Sequence, residues 1–351
     1  MATIKYNNIG IKAVSACVPK NISSNSQLID LIGEAELEKT INSIGIREKR
    51  YVDDDVCSSD LCFKAAEKLL SDLEINPEEI DGVIFVSQTP DYRQPSTAPL
   101  LQYKLGLKKD AFAFDINMAC SGYVYGLSVA YSYASQIGID NVLLLVGETM
   151  SKTVSKKDKV AFPLFGDAGS ATLISKGDFG SSFFSLNSDG SGNDVIKIKY
   201  GGYRNKSCEE GLKEKLDEDG NNRTGEQFYM DGMEVFNFGL RVVPKDIKKV
   251  IEFAGLIIDD IDLIVYHQAN RFMTDFFSKK LKFNTEKTPY CLSDYGNTSS
   301  ASIPLTIVSE LNIDKYKERQ KVVCSGFGAG LSWGSVLLNL EKTKVISLIE
   351  Y

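Results

Sequence analysis

Two kinds of apolar pattern alternate along the chain, and each predicts one kind of element. Short apolar runs bounded by turn residues predict buried strands. They lie at Ile9–Val18, Asp81–Ser87, Ala111–Ile116, Asn141–Val146, Ala171–Ile174 and Val265–Tyr266. Apolar residues repeated three or four positions apart predict amphipathic helices. These segments are Leu28–Ile32, Asp60–Leu73, Ala98–Leu105 and Ser128–Ile137.

The pattern of the first half recurs, in order, in the second half of the chain. The matches pair Ile80–Phe85 with Ile261–Tyr266, Val142–Val146 with Val322–Cys324, and Gly169–Leu173 with Gly334–Leu338. Because they keep chain order, they indicate one ancestral unit used twice. An offset of 177 residues places Cys120 opposite Asn297, so two equivalent helix starts are expected to face one site.

This repeat divides the chain into three predicted regions. An N-terminal half covers residues 1–178, a C-terminal half covers residues 231–351, and residues 179–230 form an insertion between them. Most of the insertion, from Ser188 to Gln227, is rich in glycine, asparagine and charge. We interpret it as a solvated lid. The alternative is that it forms part of a pocket wall, since long loops are often functional.

Composition narrows the class of protein. The 351 residues are 43% hydrophobic and 25% charged, as in soluble globular proteins. No apolar run approaches the roughly 18 residues that span a membrane, and Lys5 and Lys12 lie where a signal peptide would be apolar. A cytoplasmic protein is therefore expected. The net charge of −7 argues against a surface that binds nucleic acid over the whole protein.

The spacing of the cysteines and the single histidine indicates whether the chain could bind a metal. Seven cysteines without a C-x-x-C and one histidine leave no zinc-like spacing and no disulfide framework. The run Gly326–Gly334 lacks the G-x-G-x-x-G that opens a helix in dinucleotide sites. Neither a metal nor a cofactor is therefore expected.

Cys120 lies where the strand Ala111–Ile116 gives way to a helix of small and apolar residues. A helix N-terminus stabilises a thiolate, so this position is expected to lower the pKa of the thiol. Taken alone, Cys120 also fits a buried structural cysteine. However, His267 ends an apolar strand and Asn297 precedes a second helix of small residues. Cysteine, histidine and asparagine together suit a cysteine nucleophile with imidazole and amide partners. A cysteine hydrolase uses the same set of residues.

Several motifs recur in the order and spacing of a known family. They are Ala119-Cys120-Ser121-Gly122, Phe165-Gly166-Asp167, His267-Gln268-Ala269-Asn270, Gly296-Asn297-Thr298-Ser299 and Phe327–Ser335. From Gly10 to the neighbourhood of Leu340, the chain resembles ketoacyl-acyl-carrier-protein synthase III, a branch of the thiolase superfamily. The resemblance implies an α/β fold with five αβαβα layers, two duplicated halves in one compact unit, and a homodimer.

The resemblance also implies a decarboxylating Claisen condensation of an acyl primer with malonyl-acyl-carrier protein. By position, Cys120 takes the acyl group as a thioester. His267 and Asn297 hold the thioester oxygen of the malonyl unit while carbon dioxide leaves, and the backbone amides of Cys120 and Gly330 match the oxyanion hole. These residue types suit the chemistry, because two neutral N–H donors stabilise an enolate oxygen that a carboxylate would repel.

A basic cluster follows His267 on the next predicted helix. It consists of Arg271, Lys279, Lys280 and Lys282. In an acidic chain, such a patch is expected to dock an acidic acyl-carrier protein. The alternative is an ordinary solvated helix face.

The acyl donor is less defined by the sequence. Members of the family typically hold the adenine of coenzyme A with a tryptophan and an arginine. In this chain the matching positions are Lys39 and Ser43. A further position that is arginine in the family carries Lys159. Either coenzyme A or a carrier protein is therefore a candidate donor, and the primer stays undefined, as does the choice between general fatty-acid synthesis and a specialised pathway.

Other interpretations stay open on the sequence alone. A different acyl transfer of the thiolase superfamily, a hydroxymethylglutaryl-type synthase and a non-catalytic binding subunit would carry similar motifs. Glu148, just after the strand Asn141–Val146, is either a solvated loop acid or a group near the site.

Overall fold

The computed structural model describes residues 2–351, with Asp314 described by its backbone alone. The strands are β1 (Ala2–Val18), β2 (Ile22–Ser24), β3 (Glu48–Arg50), β4 (Gly82–Val86), β5 (Phe112–Ile116), β6 (Asn141–Thr149), β7 (Asp167–Ser188), β8 (Ile196–Lys197), β9 (Lys215–Leu216), β10 (Asn222–Arg223), β11 (Tyr229–Met230), β12 (Leu263–Tyr266), β13 (Val322–Gly328), β14 (Ser332–Leu338), β15 (Lys344–Val345) and β16 (Ile349–Glu350). The helices are α1 (Ile29–Ile32), α2 (Glu34–Ile44), α3 (Ser58–Asp72), α4 (Ala98–Lys104), α5 (Gly122–Ala134), α6 (Glu209–Leu212), α7 (Gly232–Phe253), α8 (Arg271–Leu281), α9 (Leu292–Tyr295) and α10 (Ser302–Glu310).

Strands β1 and β7 join two regions of sheet into one. The first half of β7 pairs with β6 and the second half pairs with β14, while β1 runs antiparallel to both halves. From β7 the order continues through β6 and β4 to β5 on one side, and through β14 and β13 to β12 on the other. Strands β5, β4 and β6 are parallel, so their carboxyl ends meet at one edge of the sheet.

Helices α5 and α10 lie between the two regions of sheet. Side chains of a strand alternate between its faces, so Ile84 and Val86 of β4 pack with α5 and α10, whereas Val83 and Phe85 pack with α3 and α4. Strand β13 alternates in the same way between the central helices and the outer helices α7 and α8. The layers therefore run helix, sheet, helix, sheet, helix, which confirms the five-layer fold.

The duplication extends to the hydrogen bonds at the strand starts. Asp81, before β4, accepts a hydrogen bond from the backbone N–H of Asn141 at 3.0 Å, where β6 begins. Asp262, before β12, accepts one from the backbone N–H of Lys321 at 2.9 Å, just before β13. The same acid thus fixes the neighbouring parallel strand in each half.

The starts of α5 and α10 are also equivalent. Each helix follows a 3-10 turn, Ala119–Ser121 or Ser299–Ala301. The first residue of each turn has a left-handed backbone, with φ of 44° at Ala119 and 51° at Ser299. Ser300 therefore occupies the position equivalent to Cys120. The offset that paired Cys120 with Asn297 was wrong by three residues, because the sequence does not show where each turn begins.

Strands β1 and β7 are longer than the apolar pattern predicts. Strand β1 begins at Ala2, because its polar first half pairs with the second half of β7. Strand β7 continues to Ser188 and crosses the boundary predicted at residue 178, because glycine and polar residues near Gly177 interrupt its apolar alternation. Only residues 189–230 then form the irregular insertion.

Neither a membrane-spanning helix nor a cluster of metal ligands occurs among the described residues. Within residues 2–351, no helix is both long and apolar enough to cross a bilayer. Among the same residues, no three His, Cys, Asp or Glu side chains are grouped so that they could hold a metal ion.

Candidate active site

A cavity of about 290 Å³ lies where the carboxyl ends of β4, β6 and β12 meet the starts of α5 and α10. Its wall includes Cys120, His267 and Asn297. The structure thus brings together the three residues that the sequence analysis predicts to be catalytic.

Cys120 is held by its own turn and by the glycines of β13. A Cβ atom placed on Gly328 would lie 2.8 Å from Cys120 Cβ and 3.2 Å from Cys120 Sγ. One on Gly326 would lie 3.0 Å from the Cys120 carbonyl oxygen. The contact of 2.8 Å is too short for a Cβ atom, so Gly328 needs to be glycine if β13 is to pass directly behind Cys120, and the contact at Gly326 is tight.

Asn297 and Ser299 form one unit in the turn before α10. The backbone N–H of Ser299 donates to Asn297 Oδ1 at 2.9 Å, which fixes the orientation of the amide. Asn297 Nδ2 has a long contact of 3.5 Å with the Ala269 carbonyl, so this nitrogen can donate to a group in the cavity. Ser299 Oγ lies 3.3 Å from Cys120 Sγ and links this unit to the nucleophile.

His267 follows β12 and is 2% exposed. Its Nδ1 atom lies 2.8 Å from Ser302 Oγ, and this oxygen also accepts the backbone N–H of Gln268 at 3.2 Å. Burial lowers the pKa of His267 to about 3. The ring is therefore neutral at physiological pH, as its predicted role requires.

The pKa of Cys120 moves in the opposite direction from the one predicted. Burial raises the pKa of the thiol to about 12, the hydrogen bond to Ser299 opposes this rise, and the charge of Glu148 adds to it. The predicted lowering was wrong, because desolvation by burial is the largest effect on this thiol. At rest the nucleophile is a thiol.

Glu148 at the end of β6 is fully buried. Its carboxylate accepts hydrogen bonds from Ser300 Oγ at 2.7 Å, from the backbone N–H of Gln88 at 3.1 Å and from Thr89 Oγ1 at 3.1 Å. The interpretation as a solvated loop acid was wrong. The carboxylate ties the loop after β4 to the turn that carries Ser299.

The sequence analysis missed Gln88 and Ser299 as members of the site. Gln88 Nε2 donates to Ser299 Oγ at 2.7 Å. Gln88 and Glu148 each follow a buried apolar run, and Val86 pairs with Val146 across parallel strands. Since the carboxyl ends of parallel strands meet at one edge, this shared position was the signal that could have found Gln88.

Comparison with known proteins agrees with the fold and with the site. The family profile of 3-oxoacyl-[acyl-carrier-protein] synthase III matches residues 114–190, and the profile of its C-terminal part matches residues 251–340. The beta-ketoacyl-[acyl-carrier-protein] synthase III of Clostridium acetobutylicum is 36% identical, over 96% of this chain and 100% of its own. This chain belongs to the 3-oxoacyl-[acyl-carrier-protein] synthase III family.

Further members of the synthase III family show the same coverage. The beta-ketoacyl-[acyl-carrier-protein] synthase III of Fusobacterium nucleatum is 34% identical over 94% of this chain and 98% of its own. The crystal structure of a 3-oxoacyl-(acyl-carrier protein) synthase from Burkholderia xenovorans superposes with a TM-score of 0.92, at 36% identity, over 100% of this chain and 99% of that one. The resemblance and the prediction of an acyltransferase are confirmed, and the non-catalytic subunit is not favoured.

Gly330 lies in a second cavity of about 680 Å³ beside the first. Ala329 lines both cavities, whereas Gly330 lines the second one. The role of the Gly330 amide in this synthase thus stays a prediction, and the backbone of Ala329 lies closer to the cavity that holds Cys120.

The predicted donor-binding and docking residues lie around the first cavity. Lys159 lines it directly. Lys39 and Ser43 are exposed on α2, and Thr40 and Ile44 of the same helix line the cavity. The basic cluster Arg271, Lys279, Lys280 and Lys282 is exposed along α8, whose first turn also reaches the cavity wall.

The insertion of this synthase contributes to both cavities. Ile196 and Phe228 line each of them, and the ring of Phe228 packs edge-on against Phe165 with centroids 5.0 Å apart. The interpretation as a solvated lid is therefore corrected to the alternative, a pocket wall. The sequence did not indicate this wall, because a polar stretch separates these two apolar residues.

The buried carboxyl of Glu148 predicts a pH-dependent stability. Burial raises its pKa from 4.5 to about 7, so between these pH values the folded protein keeps a proton that the unfolded chain has lost. The contribution of Glu148 to the free energy of unfolding therefore falls as the pH rises through this window. His267, whose pKa burial lowers from 6.5 to about 3, contributes a rise up to about pH 6.5 in every variant. Glu148→Gln should remove up to about 1.4 kcal/mol of this fall per pH unit. Urea unfolding at pH 5, 6, 7 and 8 measures the difference.

Glu38→Gln is the matched control, since Glu38 is exposed on α2, and its profile should follow that of the wild type. Asp167, whose pKa burial raises to about 6, should leave a residual slope in every variant. Parallel profiles for Glu148→Gln and the wild type would show that Glu148 does not titrate in this window.

Proposed function

We propose that this synthase condenses an acyl primer, carried as a thioester on Cys120, with malonyl-acyl-carrier protein to give a 3-oxoacyl-carrier protein. The observation that carries the proposal is the shared cavity of Cys120, His267 and Asn297. The names of the relatives, beta-ketoacyl-[acyl-carrier-protein] synthase III, support the same reaction.

In the first step the Cys120 sulfur attacks the thioester carbon of the donor. A new carbon–sulfur bond forms, the bond to the donor sulfur breaks, and the proton of the Cys120 thiol ends on the departing thiol. The hydrogen bond from Ser299 supports the sulfur as it loses its proton. We assign His267 to the second step, in which its neutral ring acts as an N–H donor.

In the second step carbon dioxide leaves the malonyl unit and its bonding electrons form an enolate. His267 is neutral because burial lowers its pKa to about 3, so it stabilises the enolate oxygen as an N–H donor and does not protonate the new carbanion. Asn297 Nδ2 supplies the second donor. The enolate carbon then attacks the acyl carbon on Cys120, the carbon–sulfur bond breaks, and the released thiolate takes up a proton from solvent.

The two steps should separate by mutation. Cys120→Ser should abolish primer transfer, because an unactivated hydroxyl is a poor nucleophile. His267→Ala and Asn297→Ala should keep self-acylation and each slow malonyl decarboxylation by about 10² or more, the usual cost of losing one oxyanion donor. Intact-protein mass spectrometry measures acylation, and release of labelled carbon dioxide measures decarboxylation. Equal loss of both activities in the two alanine variants would favour a single nucleophile and base mechanism.

The donor is proposed to be a carrier-bound acyl group and not acetyl-coenzyme A. Lys39 pairs with Glu36 at 3.0 Å on the exposed face of α2, and Ser43 is exposed beside it, so neither offers the flat ring or the guanidinium of the family pattern. Acetyl-coenzyme A should therefore be the poorer donor in steady-state assays. Selective priming by acetyl-coenzyme A would contradict this.

An acidic acyl-carrier protein is proposed to dock on α8. Asn270, the N-cap of α8, and Met273 line the cavity. Lys279 and Lys280 lie in the last turn, about 13 Å further along the helix at 1.5 Å per residue. A carrier bound to the exposed face of α8 would thus have the cavity within reach.

Charge reversal tests this docking surface. Lys279→Glu with Lys280→Glu should raise the KM for malonyl-carrier protein about tenfold, because two exposed attractions become repulsions. The wild-type rate should fall as salt rises, since exposed charges are screened within about 8 Å at physiological ionic strength. A small malonyl thioester without the carrier should react at nearly the same rate in both proteins.

Reversal of Lys64 and Lys68 is the matched control, because both lie partly exposed on the outer helix α3. This control should leave the KM unchanged. If the Lys279 and Lys280 variant also keeps the KM of the wild type, the carrier docks elsewhere.

A homodimer in the cytoplasm completes the proposal. Strand β5 ends the sheet and pairs with β4 among the described strands, and its Phe112 ring stacks on Tyr133, which is 39% exposed. An edge strand with apolar neighbours suits pairing with a second copy, and light scattering would measure the mass. All seven cysteines are free, as expected in a reducing compartment.

A further inference from the structure

Gln88 lies between the two cavities and contacts both of them. Its side-chain nitrogen Nε2 has two contacts, at 2.7 Å to Ser299 Oγ and at 3.3 Å to the sulfur of Met150. Hydroxyl oxygens and thioether sulfurs both accept hydrogen bonds. Both N–H bonds of the amide are therefore used, and this orientation of the amide is the one that both neighbours favour.

Ser299 Oγ has one proton to donate. Among the described residues, its hydrogen-bond partners are Gln88 Nε2 and Cys120 Sγ. Because Gln88 donates to this oxygen, Cys120 Sγ is the one of these two partners that can accept the Ser299 proton. A hydrogen bond donated to the sulfur stabilises the thiolate and therefore lowers the pKa of the thiol.

We propose that Gln88 is a positioning residue that keeps the Ser299 hydroxyl as a donor to the Cys120 sulfur. Gln88 does not touch the sulfur, and it acts through Ser299. The proposal rests on the role of Cys120 given above and assigns to Gln88 the task of activating that thiol.

A hydrogen bond to the buried Glu148 fixes the backbone of Gln88, which keeps its side chain beside Ser299. The Gln88 N–H donates to Glu148 at 3.1 Å, and the same carboxylate accepts Ser300 Oγ at 2.7 Å. The buried Glu148 therefore fixes the distance between Gln88 and the turn that carries Ser299. Gln88 lies in the N-terminal half and Ser299 lies in the C-terminal half, so the hydrogen bond between them depends on both halves.

Other groups face Cys120 and act on its charge. Glu148 lies behind it at the end of β6, and its charge disfavours the thiolate. His267 and Lys159 line the same cavity from β12 and from the segment before β7. None of them is altered in the variants below, so a change in reactivity reports on Gln88 and Ser299.

The test is the rate at which iodoacetamide alkylates Cys120 in the full-length protein, followed by peptide mass spectrometry from pH 6 to 10. Below its pKa a thiol reacts in proportion to its thiolate fraction, with a partial offset because a more basic sulfur is more nucleophilic. Gln88→Ala and Gln88→Met should each slow alkylation about three- to tenfold at pH 8. Gln88→Glu should slow it further, because a carboxylate repels the thiolate and accepts the serine proton.

Ser299→Ala should slow alkylation as much as Gln88→Ala, and combining the two should add nothing, since they remove the same hydrogen bond. Exposed Cys208 in each variant is the internal control and should keep its rate, and melting temperatures check that the variants fold. Alkylation needs no acyl donor, so its result is independent of whether a primer is transferred.

Unchanged or faster alkylation in Gln88→Ala or Gln88→Met would overturn the proposal. So would an equal effect of Gln88→Ala in the Ser299→Ala protein, because Gln88 would then act by another route.

Discussion

The close packing of the starts of α5 and α10 against each other is the constraint on which the site depends, and it buries His267 and Asn297 beside them. A Cβ atom placed on Gly122 would lie 3.2 Å from Ser300 Cβ and 2.6 Å from Val86 Cγ1. Two helix starts can approach this closely only if small residues line both of them. The runs of alanine, serine and glycine in the two motifs therefore satisfy a packing requirement, which also sets the positions of Cys120 and Asn297.

The same burial sets the charge state of the site. It moves the pKa of Cys120 up and that of His267 down, so both groups rest in their neutral forms. Because Cys120 and His267 are both neutral and buried, hydrogen bonds to them act in surroundings of low dielectric constant. In the mechanism proposed above, reactivity comes from directed donors, such as Ser299 toward the sulfur, and not from an ion pair between cysteine and histidine.

The sequence predicted the elements whose signals are local. Strands β4, β6 and β12 and helix α3 follow from apolar periodicity, and Cys120, His267 and Asn297 stand out because each ends or begins an element. Interactions that depend on distant partners were not predictable in this way. The burial of Glu148 and the link from Gln88 to Ser299 arise only when two strand ends meet, and the far half of β7 is concealed because its pairing with β14 does not require an unbroken apolar pattern.

Strand β7 has a consequence for how the molecule holds together. It pairs with β6 over its first half and with β14 over its second half, and β1 accompanies it along both. The duplicated halves therefore share a continuous backbone ladder, and any cut between them would expose two long open edges. Although the two halves have the same pattern of elements, neither has a complete sheet of its own, and each depends on strands β1 and β7 that it shares with the other.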